Sequence, residues 1–150
     1  MVKLTTDTST KLHTNHDGST VVVPATTNIG EHVYIHPSVI LGENCSIGEG
    51  SSIGRETKVA RSVKLGANVE LGARVIVGYE AIFEDLACVR DDAEVGERVE
   101  IGNNAEIGPH ADIGSRTRIA GTTQVPAHWI VPSDFVVNPG PDNRAVLIKM

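Results

Sequence analysis

Every sixth residue from Val23 to Val137 is large and apolar: Val23, Ile29, Ile35, Leu41 and Ile47 open the row, and Ile119, Val125, Val131 and Val137 close it. The row has 20 members and no gap in a chain that is 40% hydrophobic. Chance gives such a run with a probability of about 10⁻⁸. A second row lies two residues earlier and holds only Thr, Val, Cys, Ser and Ala from Thr27 to Thr123. Residues two apart share one face of a strand, so each hexapeptide carries a short strand with one large and one small side chain turned inward. The residue after the large one is often glycine, as at Gly42, Gly54, Gly72 and Gly102. That position suits a corner needing close backbone approach or positive φ. Asn44, Asn68 and Asn104, two residues further on, suit a turn equally well.

A six-residue period does not hold one face of a helix. Strand-and-corner units repeated at that period must wrap, and three sides close a triangle of about 18 residues whose coils stack at about 4.8 Å. The pattern therefore predicts an all-β chain, a single parallel β-helix over 23–137 with about six three-sided coils, roughly 30 Å long. Residues 1–22 are polar and out of register, which predicts an N-terminal cap over the first coil. The small row breaks at Trp129 and Phe135, a predicted plug for the bottom of the column. Pro126, Pro132, Pro139 and Pro141 then end strand pairing and leave 138–150 as a C-terminal tail.

The repeat (L/I/V)-G-x-x-small-x, seen in LGENCSIGEGSSIG and VGERVEIGNNAEIGPHADIG, resembles that of the hexapeptide-repeat transferase family over about three quarters of the chain. The IHPS start and the exit through VP and NP turns are similar to family patterns as well. The resemblance implies a left-handed β-helix; general chirality rules favour right-handed crossovers, so the hand comes from the resemblance alone. It also implies a homotrimer. For many members it implies an acyltransferase that moves an acyl group from acetyl-CoA, another acyl-CoA or an acyl-carrier protein to a small hydroxyl or amine at a subunit interface. Two features depart from the family pattern. No substrate loop interrupts the repeat, and the C-terminal helix of several family enzymes is missing. A non-catalytic trimeric scaffold is the alternative that the unbroken register supports.

Composition narrows the partners. A net charge of −6 argues against nucleic acid. No apolar run reaches the length of a membrane span, and the first 20 residues lack a signal-peptide core. Two cysteines make no disulfide framework, and a cytoplasmic location is expected. Cys45 falls on the inward row and Cys88 on the outward one, so the two do not pair.

Within VGYEAIFEDLACVRDD, Val77 to Asp92, the corner glycines become Glu84 and Arg90, yet no residue is inserted: Val77, Phe83 and Val89 keep the large row. This is a coil with a changed exterior. Its outward mid-strand residues are Ile76, Ile82 and Cys88, where the row elsewhere is mostly Lys, Glu, Ser or Asp. Ile40, Ile76 and Ile130 share one face at multiples of 18. Exposed apolar residues grouped in this way mark an interface, and Ile40, Ile76, Ile82 and Cys88 are the expected homotrimer contacts.

Residues 18 apart stack on adjacent coils, and one corner then reads Ser38, Glu56, Arg74, Asp92, His110, His128. An acid beside a histidine is the arrangement of a general base and its orienter. Family enzymes use a histidine to deprotonate the acceptor, so the resemblance makes His110 the catalytic base and Asp92 its partner, with Arg74 and His128 binding substrate. A solvated charge ladder that only reduces repulsion between coils is the competing reading. Some family members are γ-class carbonic anhydrases holding zinc with three histidines. His110 and His128 with His32 or His36 of a neighbour would be the counterpart, but the spacing departs from that motif, and no metal is expected. Arg98 and Arg116 stack with Glu80 and Asp134 along another corner, as a charge ladder or an anion site.

Overall fold

Eighteen two-residue strands, β3 (Asn28–Ile29) to β20 (Ile130–Val131), follow one another at six-residue spacing in the computed structural model, which describes residues 9–149. Residues 1–8 of the predicted cap segment lie outside the described residues. All but the last two pair in parallel with the strand 18 residues on: Tyr34 with Ser52, Glu70 with Cys88, Ile76 with Glu94, Ile82 with Glu100. Three flat faces result. The first has eight strands and the second and third have six each. The fold is a left-handed parallel β-helix.

The first face runs from Asn28–Ile29 down to β21 (Phe135–Pro139) and β22 (Ala145–Lys149). The second runs from Tyr34–Ile35 to Gln124–Val125, and the third from Ile40–Leu41 to Ile130–Val131. The chain visits them in that order, so each coil has a first–second, a second–third and a third–first edge.

The core is the predicted column. Ile35, Ile53, Ile101 and Val137 are fully buried, and so are the small residues Val63, Val75, Ala81 and Ala105 beside them. Two inward hydroxyls are satisfied by the next coil: Ser51 Oγ donates to the Gly66 carbonyl at 2.8 Å and Thr57 Oγ1 to that of Gly72 at 2.7 Å, whereas those of Thr27 and Thr123, nearer the ends of the stack, find no partner.

The two corner functions that the sequence left together are divided between two positions. A Cβ added at Gly54 would lie 2.7 Å from the backbone of Gly72, and the φ of Gly54 is not positive, so glycine there serves close approach between coils. Positive φ falls two residues later, on residues with side chains: Asn44 (φ 61°), Asn68 (54°), Asn104 (58°), and also Arg74 (56°), Asp92 (62°) and His110 (60°).

Both ends are closed by antiparallel hairpins. At the top, β1 (Thr10–Thr14) pairs with β2 (Thr20–Pro24). Asn15 in its turn is buried, donates to the Ile35 carbonyl at 2.7 Å and accepts from the Ile35 amide at 2.9 Å. Lys11 reaches the Thr27 carbonyl, and His13 Nε2 lies 3.1 Å from that of Val33. These contacts occupy edge groups of the first coil that would otherwise be free to pair. Val23, the first member of the apolar row, is buried within this hairpin rather than in a coil, so the stack begins at Asn28. At the bottom, β21 pairs with β22, and Trp129 and Phe135 pack part-buried against the core. Pro139 does not end pairing as expected. It is the last residue of β21, opposite Ala145, where a missing N–H is tolerated at a strand end. Among the described residues no helix is long and apolar enough to cross a membrane.

Candidate functional site

The predicted ladder lies along the second–third edge, and the left-handed corner conformation turns each of its long side chains outward. Arg74 Nε donates to Asp92 Oδ1 at 2.7 Å and its Nη2 to Oδ2 at 3.0 Å, a two-pronged pair. His110 Nε2 lies 3.8 Å from Asp92 Oδ2, within ion-pair range and beyond a hydrogen bond. The His110 and His128 rings stack with centroids 5.0 Å apart and planes 1° from parallel. At the top of the ladder Ser38 Oγ accepts from the Glu56 amide at 2.8 Å. The four residues expected to form a site are therefore adjacent. Arg74, expected to meet substrate, has its guanidinium committed to Asp92. Asp92 serves Arg74 first and His110 second.

The Arg74 guanidinium, chiefly through its hydrogen bonds, holds the Asp92 carboxyl below its ordinary value of 3.8. A carboxylate lowered in this way adds stability that is complete above 3.8 and lost as pH falls through the folded value. The melting temperature of Arg74→Ala should thus lie below wild type at neutral pH, and the gap should narrow below pH 3.8. Thermal melts of both proteins across pH 2–7, roughly the range in which carboxylates titrate, check this. Because the pair is solvent-facing the effect is small.

A groove that the sequence did not reveal runs down the second face beside this edge. Its upper part, about 300 Å³, is lined by Ser52, Glu70, Cys88, Arg90 and Asp91. Arg90, Asp91, Glu106 and Pro109 line its middle. Its lower part, about 700 Å³, is walled by Glu106, Pro109, Gln124, Pro126, Trp129 and Arg144. Arg90 Nε donates to Glu106 Oε1 at 3.2 Å across the middle. Trp129, expected only as a plug, is also a wall. Arg144 arrives from the tail because Gln124 N donates to the Asn143 carbonyl at 2.7 Å. Two hexapeptide signals pointed here, the loss of corner glycine at Arg90 and at Pro126. The part played by Arg144 depends on a tertiary contact with no sequence signature.

The third–first edge is the predicted charge ladder. Arg98 pairs with Glu80 at 2.9 Å and Arg116 with Asp134 at 2.7 Å, while Arg61 and Arg98 flank the Tyr79 ring at 5.0 and 5.7 Å. The zinc reading gains no support. Among the described residues the one grouping with metal-ligand spacing is Glu31, His32 and Glu49, all exposed and without His110 or His128. Cys45 is buried, Cys88 is half-buried in the groove wall, and both are free thiols.

The family model for the bacterial transferase hexapeptide, six repeats, matches residues 26–61. Comparison with curated protein sequences gives no match. Among solved structures the chain is similar to PerB from Caulobacter crescentus, determined in complex with CoA and GDP-perosamine. The TM-score is 0.72 at 18% identity, over 81% of this chain and 57% of that one. It is similar also to the acetyltransferase domain of PglB from Neisseria gonorrhoeae, with a TM-score of 0.66 at 20% identity over 77% of this chain and 57% of that one. LpxA from Acinetobacter baumannii gives 0.50 at 15% identity, over 81% and 62%. The chain thus spans less than two thirds of each of these, and at such identities the likeness lies in the fold.

Proposed function

Because residues 26–61 match the family model for the bacterial transferase hexapeptide and the same six-residue unit continues to Val131, we propose that the chain is an acyltransferase whose site is the second-face groove and the His110–His128 edge beside it. The observation that carries this reading is the position of His110. It directly follows Pro109 of the groove wall, with its Nε2 3.8 Å from a carboxylate and its ring stacked on a second imidazole. An acyl-CoA thioester, acetyl-CoA in the first instance, is the donor, and a small amine or hydroxyl is the acceptor. The CoA and GDP-perosamine bound to PerB support both choices by analogy of fold.

In this reading His110 takes the proton of the acceptor as its nitrogen or oxygen adds to the thioester carbonyl. As the carbon–sulfur bond breaks, His110 returns that proton to the departing sulfur. Asp92 stabilises the cationic imidazole by charge, and Arg74 fixes Asp92 in place. His128 confines the His110 ring by stacking. Trp129 and Arg144 give the lower groove one flat apolar wall and one cation, which suit the adenine and phosphates of the donor. Two free thiols fit a reducing, cytoplasmic setting.

A thermal melt with acetyl-CoA tests this. At about a hundred times Kd, binding to the folded state adds about 2.7 kcal/mol, and the melting temperature should rise with acetyl-CoA and with free CoA alike. No rise at millimolar concentration would remove CoA donors. It would favour the scaffold reading, for which the unbroken stack from Asn28 to Val131 is the supporting observation.

A further inference from the structure

The outward residues of the third face read, from top to bottom, Ile40, Lys58, Ile76, Glu94, Asp112 and Ile130, one per coil. All six are exposed. The two ends of the row are the most open, Ile40 at 61% and Ile130 at 74%. Val22, 18 residues before Ile40 in the cap strand that packs beside it, is exposed as well and extends the apolar upper end by one rung. Glu94 lies directly opposite Asp112 on the neighbouring strand. Two acids so placed destabilise a sheet unless a cation reaches them. Among the described residues neither has one, and Lys58 has no carboxylate. On the other two faces the outward acids Glu100 and Glu106 are held by Arg118 and Arg90.

We propose that the third face docks a second copy of the chain, upside down, about a twofold axis that runs along the strands between Ile76 and Glu94. This inversion sets Ile40 against Ile130, Lys58 against Asp112 and Ile76 against Glu94, each pair occurring twice, as a twofold contact requires. The isoleucines at the ends cover one another. Each Lys58 supplies the cation that Asp112 and, one rung away, Glu94 lack in their own chain. The pair at the axis, Ile76 with Glu94, adds no charge match. The other twofold arrangement of two such faces keeps the prisms parallel. It would set Lys58 on Lys58, Glu94 on Glu94 and Asp112 on Asp112, so the charges select the inverted one.

The flanking edges agree, because about this axis each edge meets its own inverted copy. On the second–third edge Arg74 comes level with Asp92 of the second copy, and Glu56 with His110. On the third–first edge Glu80 comes level with Arg98. A like-charged meeting, Arg61 with Arg116, is softened by Asp134, which already holds Arg116 at 2.7 Å. Of the four residues expected at a homotrimer contact, Ile40 and Ile76 lie on this face, Ile82 on the first and Cys88 on the second, so they do not share one flat surface. Six rungs at about 4.8 Å and a side of about 16 Å bury about 900 Å² over the two copies, the size of a weak, reversible complex. The groove of the second face lies on another side of the prism and stays open. The inference thus goes beyond the acyltransferase reading and does not depend on it.

Sedimentation or light scattering at rising chain concentration tests it. The wild-type mass should climb to an even multiple of one chain. Lys58→Asp creates two like-charged meetings and should weaken that association by at least about a hundredfold. Asp112→Lys alone should do the same, and the double variant Lys58→Asp with Asp112→Lys should recover it. Both positions are exposed, and circular dichroism should be unchanged in all three. Ile130→Arg should lower the mass as well, since it removes the apolar cover of Ile40 at both ends. A wild-type mass that stays at one chain or at an odd multiple, an unchanged mass in Lys58→Asp, or a double variant that fails to recover would overturn the proposal. Mass is read without any ligand. An even multiple with no thermal shift from CoA would leave the face contact standing and count against the enzyme reading alone.

Discussion

Phe83→Ala is expected to cost about 3–5 kcal/mol of stability, the upper end for a single core truncation. Phe83 is the largest fully buried side chain, 1% exposed, stacked between Leu65 and Ile101 in the first face. The column makes room for it locally. Ala81, Ala87 and Ala93, the small-row residues of its coil and the next corner, are all fully buried, where the coil before has Val63, Val69 and Val75. Three methyl-sized side chains around one phenyl keep the cross-section of the prism constant. Removing the phenyl leaves a hole that parallel strands, pinned by backbone bonds every coil, cannot collapse to fill. Folded domains hold only about 5–15 kcal/mol in total, so the melting temperature should fall by roughly 10 °C in a chain of this size. Phe83→Leu should cost much less, about 1 kcal/mol, because leucine already fits one coil away at Leu65. Thermal or urea melts of the two variants check the difference. Equal losses for both would mean that the coil is not tightly packed at Phe83.

That coil also shows how far the amino-acid pattern reaches. The six-residue row forecasts the strand positions and the 18-residue register from Asn28 to Val131, because a repeating backbone unit leaves only one way to keep every large residue inside. The ends escaped the pattern. The caps at Asn15 and Lys11 are side chains bonded to a coil about 20 residues away, and no periodicity records such contacts. At the candidate site, stacking at multiples of 18 brought Arg74, Asp92, His110 and His128 together on paper as in the structure. What the spacing alone did not convey was the competition for Asp92, which an arginine with two parallel donors wins over an imidazole. The groove beside them was missed because its walls join side chains of different coils, Arg90, Pro109, Pro126 and Trp129, to Arg144, carried in by the C-terminal hairpin.

His110→Ala is expected to lower acyl transfer by about 10²–10⁴-fold, the range that one general acid–base group supplies. His110 is exposed and its backbone amide is held by the Asp91 carbonyl at 3.1 Å, so the loss should come without unfolding. His128→Ala frees the His110 ring from its stack and should cost less. Arg74→Ala removes the group that holds Asp92 in place, and its effect should fall on kcat rather than on donor affinity. The most direct measurement is the rate of thiol release from acetyl-CoA by wild type and His110→Ala, with a panel of sugar amines and alcohols as acceptors. The account predicts acceptor-dependent release by the wild type and a loss of at least about a hundredfold in the variant, with donor binding intact. Release that is equal in the two proteins, or no release with any acceptor, would contradict it.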